Sequence, residues 1–381
     1  MLTTETTKAY LSILREELVP ATGCTEPIAL AYAAARLRDI LGVWPERIRA
    51  EVSGNIIKNV KSVVVPNTGG LKGISAAIAA GIAAGDAEKI LQVISTVPSD
   101  RHGAIAAYCQ DTPIEIVCAD TPRMLDIRLT GWAGEHSACV HIANSHSNIV
   151  REEKNGEVLL EKPVTDSAED SLTDKSVLNV ADILEFANTA ELGDIAPLLQ
   201  RQIDCNTAIA AEGLKNNWGA NIGSVLLVEY PGDIKTEAKA WAAAGSDARM
   251  SGCELPVVIL SGSGNQGITA SVPVVRYARF LGASQEKLYR ALLVSDLVTI
   301  HQKSGIGRLS AYCGAVSAGV GAGAGIAYLL DGGYEAIAHT IVNAVAIISG
   351  TICDGAKPSC AAKLAASVEE GILAYNNYKY H

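Results

Sequence analysis

Aromatic residues are scarce in this chain, at 5% of 381 residues, whereas glycine is plentiful at 35. A core with few rings must close on small side chains, so helices are expected to touch at close range. A basic excess is missing too: the net charge is −10, which disfavours nucleic acid or an anionic membrane as the main partner. Nothing at the N-terminus resembles a secretory signal, since MLTTETTKAYLSILREELVP reads as an amphipathic helix carrying both acids and bases. The nine cysteines are odd in number and spread along the chain, so reduced thiols in a cytoplasmic setting are expected rather than disulfides. Their spacing contains no C-x2-C pattern of the zinc or ferredoxin type. Leu309–Leu330 lacks any charged residue, but its apolar character comes from Ala and Gly and it has no aromatic belt. It predicts a buried helix, not a membrane span.

With 49% apolar and 19% charged residues the chain is ordinary globular material, long enough for two domains. The patterning predicts an α+β fold. A mainly helical catalytic bundle would surround a Gly-rich central helix, beside a small, mostly antiparallel β-sheet module. Residues 1–45 are expected to form N-terminal helices packing on the catalytic part, with Pro27 in the first turn of the second. Residues 46–163 alternate with period two in RIRAEV, IEIVCA, LDIRLTG, ACVHIAN and SNIVREE, and form the α+β module. The polar stretch 162–175 reads as a linker. Residues 176–381 are predicted helical, with polar loops at GSDARMSG (245–252) and SGSGNQGITA (261–270).

Several residues have the right chemistry for a small-molecule site. Cys24, Cys313, Cys353 and Cys360 each stand where a loop meets an Ala/Gly-rich helix, a setting that favours the thiolate. Asn55, Lys58, Asn59, Asn67 and Thr68 cluster among glycines and would anchor a carboxylate or amine. Asp247 and Arg249 are expected side by side in their loop. Ser261, Ser263, Asn265 and Gln266 surround a glycine nest leading into a helix, a natural seat for an anion. No lysine follows the last glycine, so this is not a Walker A loop, and a small carboxylate suits it better than a dinucleotide. Of His141 and His146, the second sits in the turn SHSN and is expected to be the more exposed.

Taken together, GCTEPIALA (23–31), SGNIIKNV (53–60), VPNTG (65–69), SHSNIV (145–150), SDARM (246–250), SGSGNQGITA (261–270), RLSAYCGA (308–315) and GTICDGAKPSCA (350–361) resemble the L-cysteine desulfidase family, distant relatives of the iron–sulfur-dependent L-serine dehydratases. The resemblance implies a [4Fe–4S] enzyme without pyridoxal phosphate that converts L-cysteine and water to pyruvate, ammonia and sulfide. It places Cys313, Cys353 and Cys360 as cluster ligands and leaves Cys24 as either a further ligand or the base, with His146 and Lys58 the next candidates for the base. The polar loops and Arg249 would hold the substrate. An L-serine dehydratase is the nearest alternative, and a non-enzymatic protein using its cysteines for packing or structural zinc is another. A homodimer is expected.

Overall fold

The structure, a computed structural model, describes residues 2–164, 172–307 and 310–380. The centre of the expected linker, 165–171, and the start of RLSAYCGA lie outside the described residues. The fold is α+β, as the patterning predicts.

Helix α1 (Thr4–Glu17) is capped by the Thr3 hydroxyl, which accepts the Thr6 amide. Strand β1 (Val19–Thr22) then leads to α2 (Thr25–Leu41), which ends on Gly42 in the left-handed conformation. β2 (Arg47–Val52) follows, then α3 (Gly54–Val60) and α4 (Gly73–Ala84). After α4 comes a 3-10 segment, Ala87–Gln92, broken at Ile90, where φ is 49°. α5 (His102–Asp111) precedes β3 (Ile114–Cys118), β4 (Asp126–Ala133), β5 (His136–Ala143), β6 (Ile149–Lys154) and β7 (Glu157–Glu161).

Strands β2 to β7 form one sheet in the order β3-β2-β4-β5-β6-β7, antiparallel except for the β2–β3 pair. Helix α2 covers this sheet. A side chain at Gly131 of β4 would press on Leu37 at 2.9 Å, and one at Gly81 of α4 would meet the Ala31 carbonyl at 2.2 Å. The Ala-rich patterning of α2 and α4 thus serves close contact between helices, the expected substitute for large rings.

The helical half runs through α6 (Val180–Thr189), α7 (Ala196–Lys215), α8 (Ile222–Glu229), α9 (Ile234–Met250), a short β8 (Pro256–Ile259), α10 (Gly264–Leu281), α11 (Gln285–Ser304), α12 (Gly314–Leu329), α13 (Tyr334–Ile347) and α14 (Cys360–Tyr380). No described helix is long and apolar enough to cross a membrane. The polar 245–252 loop is not there: α9 continues to Met250 because Gly245 packs against Ala210 and Ile268, and the chain breaks only at Gly252, where φ is 93°. Asp247 also has a structural task, accepting the amides of Ala220 at 3.0 Å and Ile222 at 2.7 Å at the start of α8.

Helix α12 is the buried centre of this half. Gly321 and Gly325 lie against the Ser295 and Ala291 carbonyls of α11, while Gly319 and Gly323 lie against Ser367 and Gly371 of α14. A Cβ at Gly371 would come within 2.2 Å of the Gly319 carbonyl oxygen, which is backbone and cannot swing aside. Gly371→Val is therefore expected to lower the denaturation midpoint, by about 1–3 kcal/mol of stability or more.

One buried acid in the same helix gives a pH prediction. Glu370 is 2% exposed, neither carboxylate oxygen has a hydrogen-bond partner among the described residues, and burial pushes its pKa from 4.5 up to about 8. The folded state therefore holds this proton more tightly than the unfolded chain does. The corresponding stability is complete below pH 4.5 and is lost as pH rises towards 8. Glu370→Gln, which mimics the protonated acid, should flatten that decline in urea midpoints measured between pH 5 and 8. An unchanged slope would rule the carboxyl out as its source.

Candidate active site

Two strands that the periodicity did not reveal build one wall of the site. β1 pairs with β8 antiparallel, Val19 opposite Ile259 and Thr22 opposite Pro256. This ribbon sets the start of α2 beside the Ser261–Ser263 turn and the start of α10, and Thr25 Oγ1 donates to the Gly262 carbonyl at 2.9 Å across the join. Gly23, at φ +71°, rests on Pro66, which a Cβ would meet at 2.3 Å. Asn67 and Thr68 serve that supporting turn: Asn67 Nδ2 donates to the Ile94 carbonyl, and Thr68 Oγ1 donates to the Val65 carbonyl.

Helix packing builds the opposite wall. Gly319 faces Ser367 and Gly323 faces Gly371, so α12 and α14 run parallel in matched register. Continued back to the helix starts, this register brings Cys313, the N-cap of α12, level with Cys360, the first residue of α14. A short antiparallel crossing adds the third thiol: the Cys313 amide donates to the Thr351 carbonyl, and the Cys353 amide to the Ala311 carbonyl, both at 2.7 Å.

Between the walls lies a small cleft of about 90 Å³. Cys24, Glu26, Asn59, Arg249, Ser263, Asn265, Gln266, Cys313, Cys353 and Cys360 all line it, joined by Lys303. Asn55, Lys58, Asn67, Thr68, Ser261 and His146 do not. Asn55 and Lys58 lie on helix α3 rather than in a loop, and Asn55 Nδ2 points to Met124 Sδ at 2.9 Å. Ser261 is buried, with φ at 47°, and shapes the turn. His146 is 5% exposed and His141 8%, so the turn is not the exposed position expected. Its fold tucks the imidazole towards Glu26, with His146 Nε2 4.0 Å from Glu26 Oε1, while His141 bonds Asp126 at 2.7 Å within the sheet.

The electrostatics around Cys24 differ from expectation. Its thiol donates to Glu26 Oε2 at 3.0 Å. Burial first, and then the Glu26 charge, push its pKa well up, outweighing Arg249 and the helix start. Glu26 is held ionised: burial alone would raise its pKa, but His146, the Cys24 thiol and Arg249 bring it below the ordinary carboxylate value. Asn59 Nδ2 also donates to Glu26 Oε1 at 3.0 Å. On the other wall, burial raises the Cys313 and Cys360 thiols, and the neighbouring cysteines push in the same direction. Lys303 is 4% exposed, and burial lowers its pKa to about 8 even though Cys313 and Cys353 pull it up.

Glu26 and Lys303 are the charged cleft residues that the sequence reading did not assign to the site. Lys303 had a readable signal: it extends the buried stripe Leu292, Asp296, Thr299 of α11 by one turn, where a lysine is out of place unless it faces a polar cavity.

Three thiols on one wall, faced by a lysine, are a donor set that suits an iron–sulfur cluster. Among the described residues no three His, Cys, Asp or Glu side chains close tightly enough to hold one metal ion. Ligands of a cluster bind different irons and stand farther apart than the four that gather on a zinc ion.

The fold and cleft define an α+β protein with a thiol-rich polar site between a sheet-bearing half and a helical bundle. The chain belongs to the serine dehydratase alpha chain family, whose profile matches residues 162–379 and so takes in the bundle and all three wall cysteines. It is 57% identical to a UPF0597 protein of Desulfitobacterium hafniense, over 98% of this chain and 86% of that one. A UPF0597 protein of Lachnoclostridium phytofermentans is 51% identical, over 96% and 88%, and one of Treponema denticola 48%, over 96% and 86%.

Proposed function

We propose that this protein is an iron–sulfur lyase that eliminates the β-thiol of L-cysteine, giving pyruvate, ammonia and sulfide. The observation that carries the proposal is that three thiols share one small cleft with the polar side chains of Asn59, Arg249, Asn265 and Gln266. Cys313, Cys353 and Cys360 would hold a [4Fe–4S] cluster. When bound, the cluster supplies a Lewis acid for the departing sulfur. Arg249, steadied by its bond to Asn265 Oδ1 at 3.1 Å, fixes the substrate so that its Cα–H and Cβ–S bonds are presented together. Lys303 places a cation against the thiolates.

Cys24 handles the proton. Its Sγ takes the proton from Cα while its own proton passes to Glu26 Oε2, already 3.0 Å away. The Cα–H and Cβ–S bonds break, a Cα=Cβ bond forms, and sulfide leaves. The resulting aminoacrylate tautomerises and takes up water to give pyruvate and ammonia.

The family description favours a second reading, in which the leaving group is the hydroxyl of L-serine. Anaerobic assay separates the two. Sulfide and pyruvate formed one-to-one from L-cysteine, with little pyruvate from L-serine, is the expected result. Pyruvate from serine without sulfide from cysteine would replace it.

A further inference from the structure

Three side chains of the cleft carry buried atoms that have no hydrogen-bond partner among the described residues: Asn59 Oδ1, Gln266 Oε1 and Arg249 Nε. Their residues are 6%, 3% and 3% exposed. Each such atom costs about 1–3 kcal/mol when left empty, so three around one small cleft mark places that a ligand fills. They differ in polarity, and the difference gives the ligand a direction. Asn59 cannot turn its amide round, because its Nδ2 is engaged by the Glu26 carboxylate, so Oδ1 faces away as an acceptor. Gly314 makes room for the Gln266 amide, since a Cβ there would lie 2.4–2.6 Å from it. Arg249 is a donor only, and it packs on Gly264 at the start of α10, where the N-cap Ser263 makes no side-chain cap bond. Amides at the start of an 18-residue helix beside an arginine suit a carboxylate.

We propose that the cleft reads its amino acid by polarity: the primary ammonium sits on Asn59 Oδ1 and Gln266 Oε1, and the carboxylate sits on Arg249 and the start of α10. This rests on the amino-acid reading above and deepens it, because it makes the free amine a condition of binding. Glu26 reinforces the ammonium end, since its charge polarises the Asn59 amide through their hydrogen bond. An acid without the amine leaves two buried acceptors empty, and an N-acylated amino acid brings a bulkier group with one N–H.

The test uses two half-substrates, 3-mercaptopropionate without the amine and cysteamine without the carboxylate. Calorimetric titration of the anaerobically purified holoprotein reads binding independently of turnover. Gln266→Met should weaken cysteamine roughly tenfold or more and leave 3-mercaptopropionate within about twofold. Arg249→Met should do the reverse. Asn59→Leu probes the ammonium end again if the Gln266 variant does not fold. Equal weakening of both probes by either variant, or the crossed pattern, overturns the polarity while leaving the lyase reading intact. If L-cysteine itself neither binds to nor is consumed by the unaltered protein, the lyase reading falls and the polarity with it.

Discussion

Cys313→Ala, Cys353→Ala and Cys360→Ala, each purified without oxygen, are expected to lose most of the iron and acid-labile sulfide and most of the brown colour that the unaltered protein shows. The three thiols act as a unit. Cys313 and Cys360 are brought level by the glycine contacts between α12 and α14, and Cys353 is held beside Cys313 by the crossing in which the Cys313 amide donates to Thr351 and the Cys353 amide to Ala311. Removing any one leaves two thiolates beside Lys303, with no further cysteine lining the cleft except Cys24, which is bonded to Glu26. The helix starts should stay in place, because alanine keeps the Cβ and the N-cap carbonyls. Unchanged far-ultraviolet circular dichroism beside lost iron is therefore the signature to look for. Full iron in any of the three variants would show that its cysteine is not a ligand.

Much of this arrangement was legible in the sequence, and the parts that were not share a cause. The Gly-rich stretch from Gly314 to Gly325 announced a central helix, because so many glycines need close neighbours to offset their cost. The period-two runs gave strands β2 to β6. Hidden were the contacts formed only by folding. β1 and β8 are four residues each and lie far apart in sequence, so neither carries enough alternation to be seen. The SGNIIKNV stretch reads as polar, yet Ser53 starts a helix that turns Asn59 inward and sends Asn55 away. Position at a helix start suggested a low pKa for Cys24, but only the fold shows that Glu26 folds back onto its thiol. The same applies to Asp247 and Arg249. Two residues apart on α9, they point to different surroundings, one capping α8 and the other lining the cleft.

Cys24→Ala is expected to keep its iron and colour and to lose turnover by roughly 10²–10⁴-fold, the usual scale for a general base. Cys24 stands on the ribbon wall, away from the α12–α14 helix starts, and its thiol is committed to Glu26 Oε2 at 3.0 Å rather than to the other cysteines. The loss should fall on kcat more than on KM, because the anchors Arg249, Asn59 and Gln266 are untouched. Glu26→Gln separates relay from ligation in the same assay. The amide offers no charge to receive the Cys24 proton, so this variant too should stay brown and turn over slowly. Its pH–rate profile should also move, since removing the carboxylate takes away a group that raises the Cys24 pKa. A Glu26→Gln protein with the original pH profile and near-normal kcat would confine Glu26 to a packing role. A colourless Cys24→Ala protein would make Cys24 a ligand. Lys303, whose pKa burial lowers to about 8, would then be the next candidate to take the proton, with the ionised Glu26 carboxylate beside it in the cleft.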